Sequence, residues 1–207
     1  MIGRRKLLEL GAFAGAGLIV PGVALAAAHR HSHGDRTRAS HAHVQPEPDR
    51  ASGPDPASPR RLSVYNLHTD EHVDAVYWEH GAYVPDALEA MNRVLRDFRT
   101  GEVRIIKPGL LDVLADLHAT SGANTPYQVI SGYRSAQTNQ MLREQSAEVA
   151  QQSFHIQGKA IDLYLDNVAL PHLRDAAMDL SRGGVGYYPT SNFIHVDVGP
   201  VRHWQGV

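Results

Sequence analysis

The chain has no cysteine. That excludes disulfide frameworks, thiolate metal sites and thiol nucleophiles, so any metal must be held by nitrogen and oxygen. Nor is there a surplus of charge of one sign: 20 basic residues against 22 acidic ones leave a formal net charge of -2. Broad attraction to polyanions is missing, and nucleic acid is not an expected partner. No Gly-x-Ser-x-Gly elbow exposes a serine, which ranks a serine hydrolase built on Ser131 or Ser153 low. Internal repeats are absent as well.

What is present begins with an export signal over residues 1–28. Arg4, Arg5 and Lys6 precede an apolar run from Leu7 to Leu25, and Ala24-Leu25-Ala26 supplies a small-residue exit. Gly11, Gly15, Gly17, Pro21 and Gly22 weaken the run as a retained membrane anchor, so cleavage and no stable span are expected. The paired arginines resemble a twin-arginine signal, although residue 3 is Gly and no phenylalanine follows the pair at the usual place. Cleavage takes away Arg4, Arg5, Lys6 and Glu9, a net +2, and leaves -4. Residues 29–60 are polar, rich in Pro, Ser, Asp and Arg, and bury too little apolar surface to offset their ordering entropy. They read as a disordered linker. Its His29, His31, His33, His41 and His43 have spacings that collect divalent ions, but a solvated tether is the favoured reading because nothing there fixes geometry.

From Arg61 to Val207 the pattern is that of an α+β domain with a real core. Leu62–Leu67 and Val73–Trp78 flank a polar turn and predict a hairpin. Pro85 opens a helix with Leu88, Met91, Leu95 and Phe98 on one face, ending at Thr100-Gly101. Pro108 opens a second, with Leu111, Leu114 and Leu117 as its stripe, ending near Ser121-Gly122. A strand over Tyr127–Ser131, a polar helix from Ser135 to Ala150, a buried strand over Ala160–Leu165, a helix over Pro171–Ser181 and strands over Val185–Tyr188 and Phe193–Val198 complete the expectation. Helices and strands are segregated, which predicts a mostly antiparallel sheet with helices packed to one side.

Three stretches carry chemistry: Ser131-Gly132-Tyr133-Arg134-Ser135, then Ser153 to Asp162, then His195-Val196-Asp197. Catalytic zinc takes three His or carboxylate ligands and keeps one position open, and His155, Asp162 and His195 supply that set. Gly158 lets the chain turn between the first two. Strand alternation puts Asp162 on the face of Ala160 and Tyr164, where a carboxylate in an otherwise buried strand needs a partner. Asp197 shares a face with His195; it is open whether it orients a ligand, stands near a reacting water or bonds to backbone. Taken alone, either histidine reads as a hydrogen-bonded structural residue. Only the joint pattern points to a metal.

Ser153-x-His155-x-x-Gly158-x-Ala160-x-Asp162, preceded by Ser131-Gly132-Tyr133-Arg134-Ser135 and followed by His195-x-Asp197, resembles the zinc D-Ala-D-Ala carboxypeptidase and murein endopeptidase family of the hedgehog-like fold. The ending from Gly186-Tyr187-Tyr188-Pro189 through Asp197 to Arg202-x-Trp204 is similar to its murein endopeptidase members. The resemblance implies a zinc ion on His155, Asp162 and His195, and an exported peptidoglycan hydrolase of the periplasm or envelope. Crosslink cleavage is favoured over trimming of terminal D-Ala; a zinc-containing, non-catalytic wall-binding module is the alternative. It also implies that Arg134 meets a substrate carboxylate or oxyanion, with Ser153 beside it in substrate binding. In several relatives a base stands two or three residues before the last zinc histidine. Here those positions are Phe193 and Asn192, so Asp197 is the replacement candidate and His203 the second.

Overall fold

A computed structural model describes residues 58–146 and 149–206 of the chain; the expected export signal, and the linker as far as residue 57, lie outside them. The predicted hairpin forms. Strands β1 (Arg60–Asn66) and β2 (Glu71–Glu79) pair antiparallel, with Val64 opposite Val73. Alternation sends Leu62, Val64 and Asn66 inward, and the buried Asn66 satisfies its amide through Val94 O and His68 N. His80 and Gly81, both at positive φ, then make a two-residue turn into the short β3 (Ala82–Tyr83).

Helix α1 (Pro85–Val94) starts on its proline, as expected, but ends earlier than the apolar periodicity predicts. Leu95 is still buried, whereas Phe98 lies beyond the helix and stacks on His68 with ring centroids 3.7 Å apart. The chain leaves the helix because Asp97 organises a local turn: Gly101 N donates to Asp97 O, and Asp97 N to Glu102 O. Helix α2 (Pro108–Thr120) buries Leu110, Leu111, Leu114 and Leu117. Each such side chain contributes about 1.5–3 kcal/mol of transfer free energy. Strand β4 (Tyr127–Ser131) follows, then α3 (Ala136–Gln145), which Ser135 caps by accepting from Thr138 N. The predicted extension of α3 to Ala150 does not occur, since Ser146 is already extended.

Strand β5 (Ala160–Tyr164), helix α4 (Leu170–Asp179), and strands β6 (Gly184–Tyr188), β7 (Phe193–Asp197) and β8 (Arg202–Gln205) complete the domain. The eight strands form one sheet in the order β3-β2-β1-β4-β5-β7-β6-β8. The class is α+β, but the sheet is mixed, which corrects the expectation of a mostly antiparallel one. Strand β4 runs parallel to β1 because α1 and α2 intervene as a crossover, and β8 runs parallel to β6 at the outer edge. Helix α1 packs on β1 and β2, α2 on β1 and α4, and α4 on β6 and β7. Val64, Val129, Ile161, Leu163, Val185, Ile194 and Val196 belong to the single buried core that results. Where β5 meets β7, Asp162 stands directly opposite His195. The alternation that buries Ile161, Leu163, Ile194 and Val196 among apolar partners puts these two polar side chains on the other face.

Candidate metal centre

His155 sits in a 3-10 turn (Phe154–Gln157) that Ser153 caps by accepting the His155 N–H. Gly158 ends the turn at φ 64, and a Cβ there would lie 2.3 Å from Ile105 O. Only glycine meets both demands, so the motif's glycine is explained by conformation and by space. Lys107 N donates to Gly158 O at 2.8 Å, locking the turn against the segment before α2.

The three sequence-predicted ligands come together. His155 Nε2 is 3.2 Å from His195 Nδ1 and 3.3 Å from Asp162 Oδ1, and His195 Nδ1 is 2.8 Å from that same oxygen. All three residues are buried. The outer nitrogens are engaged. His155 Nδ1 lies 2.7 Å from Gly132 O, a carbonyl that can only accept, so this nitrogen carries the proton and Nε2 is left with a lone pair. His195 Nε2 lies 3.1 Å from Asp197 Oδ2 and donates to it, which leaves His195 Nδ1 with a lone pair too. With the His195 ring neutral, two imidazole lone pairs and a carboxylate oxygen converge with no hydrogen among them. Such a triangle of acceptors needs a cation; its two edges from His155 Nε2, 3.2 and 3.3 Å, match the separation, about 3.3 Å, of ligands on a tetrahedral ion with bonds near 2.0–2.1 Å, and the third is shorter at 2.8 Å. The donor set therefore fits a divalent metal of the zinc type.

The electrostatics agree. Burial alone would raise Asp162, but His155 and His195 beside it hold its carboxyl well below the usual carboxylate range. For His155 burial prevails and its basicity falls. Burial also acts against a charged His195, yet the carboxylates of Asp162 and Asp197 push it up to about 9. A proton on that ring is attracted by the same negative charge that would hold a metal ion.

Arg134 is carried by the turn after β4, where its backbone N–H donates to His155 O at 3.3 Å. Its side chain is nearly buried and stands 3.6 Å from Asp162 Oδ2. Among the described residues its terminal nitrogens make long hydrogen bonds, 3.4 Å, to Asn139 and Ser131, and its Nε has no hydrogen-bond partner. Burial lowers its basicity, against the pull of Asp162. A buried guanidinium with donors this loosely used is poised for an oxygen ligand.

Asp197 is fully buried and saturated. Besides His195, its carboxylate accepts from Gly184 N at 3.1 Å, Gly199 N at 2.8 Å and both terminal nitrogens of Arg202, at 3.1 and 2.7 Å. Of the three roles open to it in the sequence, this environment suits orientation of a ligand. His203 is apart from the metal donors. It pairs with Val185 and lines a depression with Arg174 and Asp175 of α4, whereas its neighbours Arg202 and Trp204 line the cavity over the metal donors.

That cavity, of about 400 Å³, is also lined by Arg134, Ser153, Tyr188 and Phe193. Tyr188 is a site residue the sequence reading left without a role. Its ring stacks on Phe193 at 4.5 Å, and its hydroxyl accepts from Trp204 Nε1 at 2.9 Å. The signal was available in β6, where Gly186 pairs with His195 and alternation then puts Tyr188 on the same side.

A family profile described as "Peptidoglycan L,D-endopeptidase MepK" matches residues 55–204. The chain is 44% identical over 146 residues to the Escherichia coli K12 protein of that description, covering 70% of this chain and 80% of the relative. The same values hold for the Shigella flexneri protein. A Haemophilus influenzae protein described as a "Probable peptidoglycan L,D-endopeptidase MepK" is 44% identical over 150 residues, covering 72% of this chain and 81% of the relative. No solved structure matches the chain significantly.

Proposed function

We propose, from the premise that this chain belongs to the peptidoglycan L,D-endopeptidase MepK family, that it is a zinc peptidase hydrolysing amide bonds in peptidoglycan peptides of the cell envelope. Crosslinks, and within them the L,D type of bond for which the relatives are named, are its substrate in preference to a terminal D-Ala. The hedgehog and D-Ala-D-Ala-peptidase type of fold goes with this reading. The observation that carries it is the inward convergence of His155 Nε2, Asp162 Oδ1 and His195 Nδ1 with both outer imidazole nitrogens bonded.

Those three residues would hold the ion. When bound, zinc supplies Lewis acidity, which makes water nucleophilic near neutral pH and polarises an amide carbonyl. The remaining work falls to the protein. As water adds to the carbonyl carbon, Arg134 gives hydrogen bonds to the oxygen that becomes anionic, using donors that its own neighbours employ poorly. Tyr188, held by the stack on Phe193 and by Trp204, directs its hydroxyl to the same developing charge. The C–N bond then breaks, the carbonyl re-forms as a carboxylate, and the amine leaves with the proton that the added water gives up. Ser153 lines the cavity and caps the His155 turn, so its service to the substrate includes keeping that turn in place. Asp197 orients His195 rather than taking a proton from water, as its saturated carboxylate supports.

Digestion of purified crosslinked peptidoglycan tests the reading. Soluble fragments ending at L,D bonds are expected by mass spectrometry, lost with a chelator and restored by zinc. Digestion that persists after all metal is removed, or no fragments at any zinc level, would overturn it.

A further inference from the structure

Segment 101–107 is fastened to the turn that carries His155 and yet faces water. Lys107 N donates to Gly158 O at 2.8 Å, Ile106 N donates to Asn92 Oδ1 at 2.8 Å, and Ile106 is buried. The side chains around it are outward. Ile105 is 68% exposed and Val103 51%, unusual values for large apolar residues on a backbone so firmly held. Arg104 and Lys107 alternate with them, and Lys159 lies across from them just past Gly158. Val103, Arg104, Ile105, Lys107, Gln157 and Lys159 line an open depression of about 600 Å³. Among the described residues three cations and no carboxylate line it, on a chain whose net charge is -2. The nearest acid in sequence, Glu102, lies outside that lining; it accepts from the Tyr133 hydroxyl at 2.6 Å, and Arg104 stands 5.9 Å from the centre of the same ring. The depression also adjoins the metal cavity: Lys159 Nζ is 5.8 Å from the ring centre of Phe154, and Phe154 lines that cavity.

From this juxtaposition we infer that the Val103–Lys107 segment and Lys159 form a docking strip for an anionic stretch of the peptidoglycan polymer, outside the bond being cut. The strip rests on the peptidoglycan reading above. Stem peptides carry free carboxylates, which Arg104, Lys107 and Lys159 complement in charge, while Val103 and Ile105 offer apolar surface to the carbon skeleton between them. A polymer leaving the cavity past Phe154 meets Lys159 first. Because the segment's backbone is fixed to the Gly158 turn, anchoring a strand there holds it in a constant relation to His155.

The test uses the full chain and the triple variant R104Q/K107Q/K159Q. Co-sedimentation with purified sacculi at low salt is expected to weaken on the order of tenfold in the variant and to lose most of its salt dependence, as exposed charge pairs do. Turnover of a soluble dimer of two crosslinked stem peptides, freed of glycan, should stay within about twofold of the wild type, since so short a substrate does not extend along the strip. The conservative triple R104K/K107R/K159R should sediment as the wild type does. Unchanged sedimentation of the glutamine variant, an equal loss in the conservative one, or binding to anionic lipid vesicles in preference to sacculi would overturn the strip. A wild type that sediments but never cuts either substrate would refute the hydrolase reading and leave the strip standing.

Discussion

Asp197 Oδ2 meets His195 at Nε2, 3.1 Å away, on the side of the ring opposite the Nδ1 that faces Asp162. The carboxylate therefore fixes which nitrogen of His195 is available to a metal, and Arg202, bonded to the carboxylate through two nitrogens, fixes the carboxylate. A base that attacks water would instead need a free oxygen at the cavity.

Replacing Asp197 by Asn separates the two roles. An orienting partner of this kind is worth about 10–100-fold in metal affinity. The variant is expected to bind zinc that much more weakly, measured by competition with a chelator, and to regain most of its turnover when zinc is saturating. Turnover that stays low with the metal site full would assign the proton-transfer role to Asp197 after all.

Tyr188→Phe removes the hydroxyl, and with it the acceptor of Trp204 Nε1, but keeps the stack on Phe193, which needs only the ring. If the hydroxyl meets the developing charge, kcat should fall roughly 10–100-fold with KM and zinc content nearly unchanged, since such a donor acts mainly in the transition state. A variant with wild-type kcat would show that Trp204 and Tyr188 merely close the cavity wall.

The cluster of His155, Asp162 and His195 was legible because each residue obeys a local rule that survives folding. Asp162 and His195 lie on strands, where alternation fixes the face, and Gly158 marks a turn that no other residue makes without strain. The role of Asp197 was left open because it depends on Arg202 and on the backbone of Gly184 and Gly199, contacts set by the closure of β6, β7 and β8. Strand β8 went unread: four residues, mostly exposed, with no apolar alternation to reveal it. The same holds for β3, two residues long. The parallel pairing of β1 with β4 is a matter of how the crossover through α1 and α2 returns to the sheet, and periodicity carries no such information. Phe98 fitted a helical face in the sequence but lies past the helix, because the polar turn that Asp97 organises outweighed one more apolar position.

Asp97 yields a prediction about stability that is independent of the metal. Its carboxylate is buried, and it accepts from Arg99 N at 2.9 Å and from Ser135 N at 2.9 Å, the N-cap of the helix that follows the Arg134 turn. Burial by itself would raise its pKa. The hydrogen bonds from Ser135, Thr138 and Arg99, at a helix N-terminus that favours negative charge, prevail and bring it down to about 2. The folded value is thus below the unfolded one, about 3.9, so the charge contributes stability that is complete above about pH 4 and disappears as pH falls toward 2. Asp97→Asn should then lower the thermal midpoint by several degrees near neutral pH, the equivalent of about 2 kcal/mol. The gap between variant and wild type should close between pH 4 and pH 2, in metal-free and zinc-loaded samples alike. A gap that stays constant to pH 2 would mean that the shape of the Asp97 turn, and not its charge, ties α3 and the Arg134 turn to the end of α1.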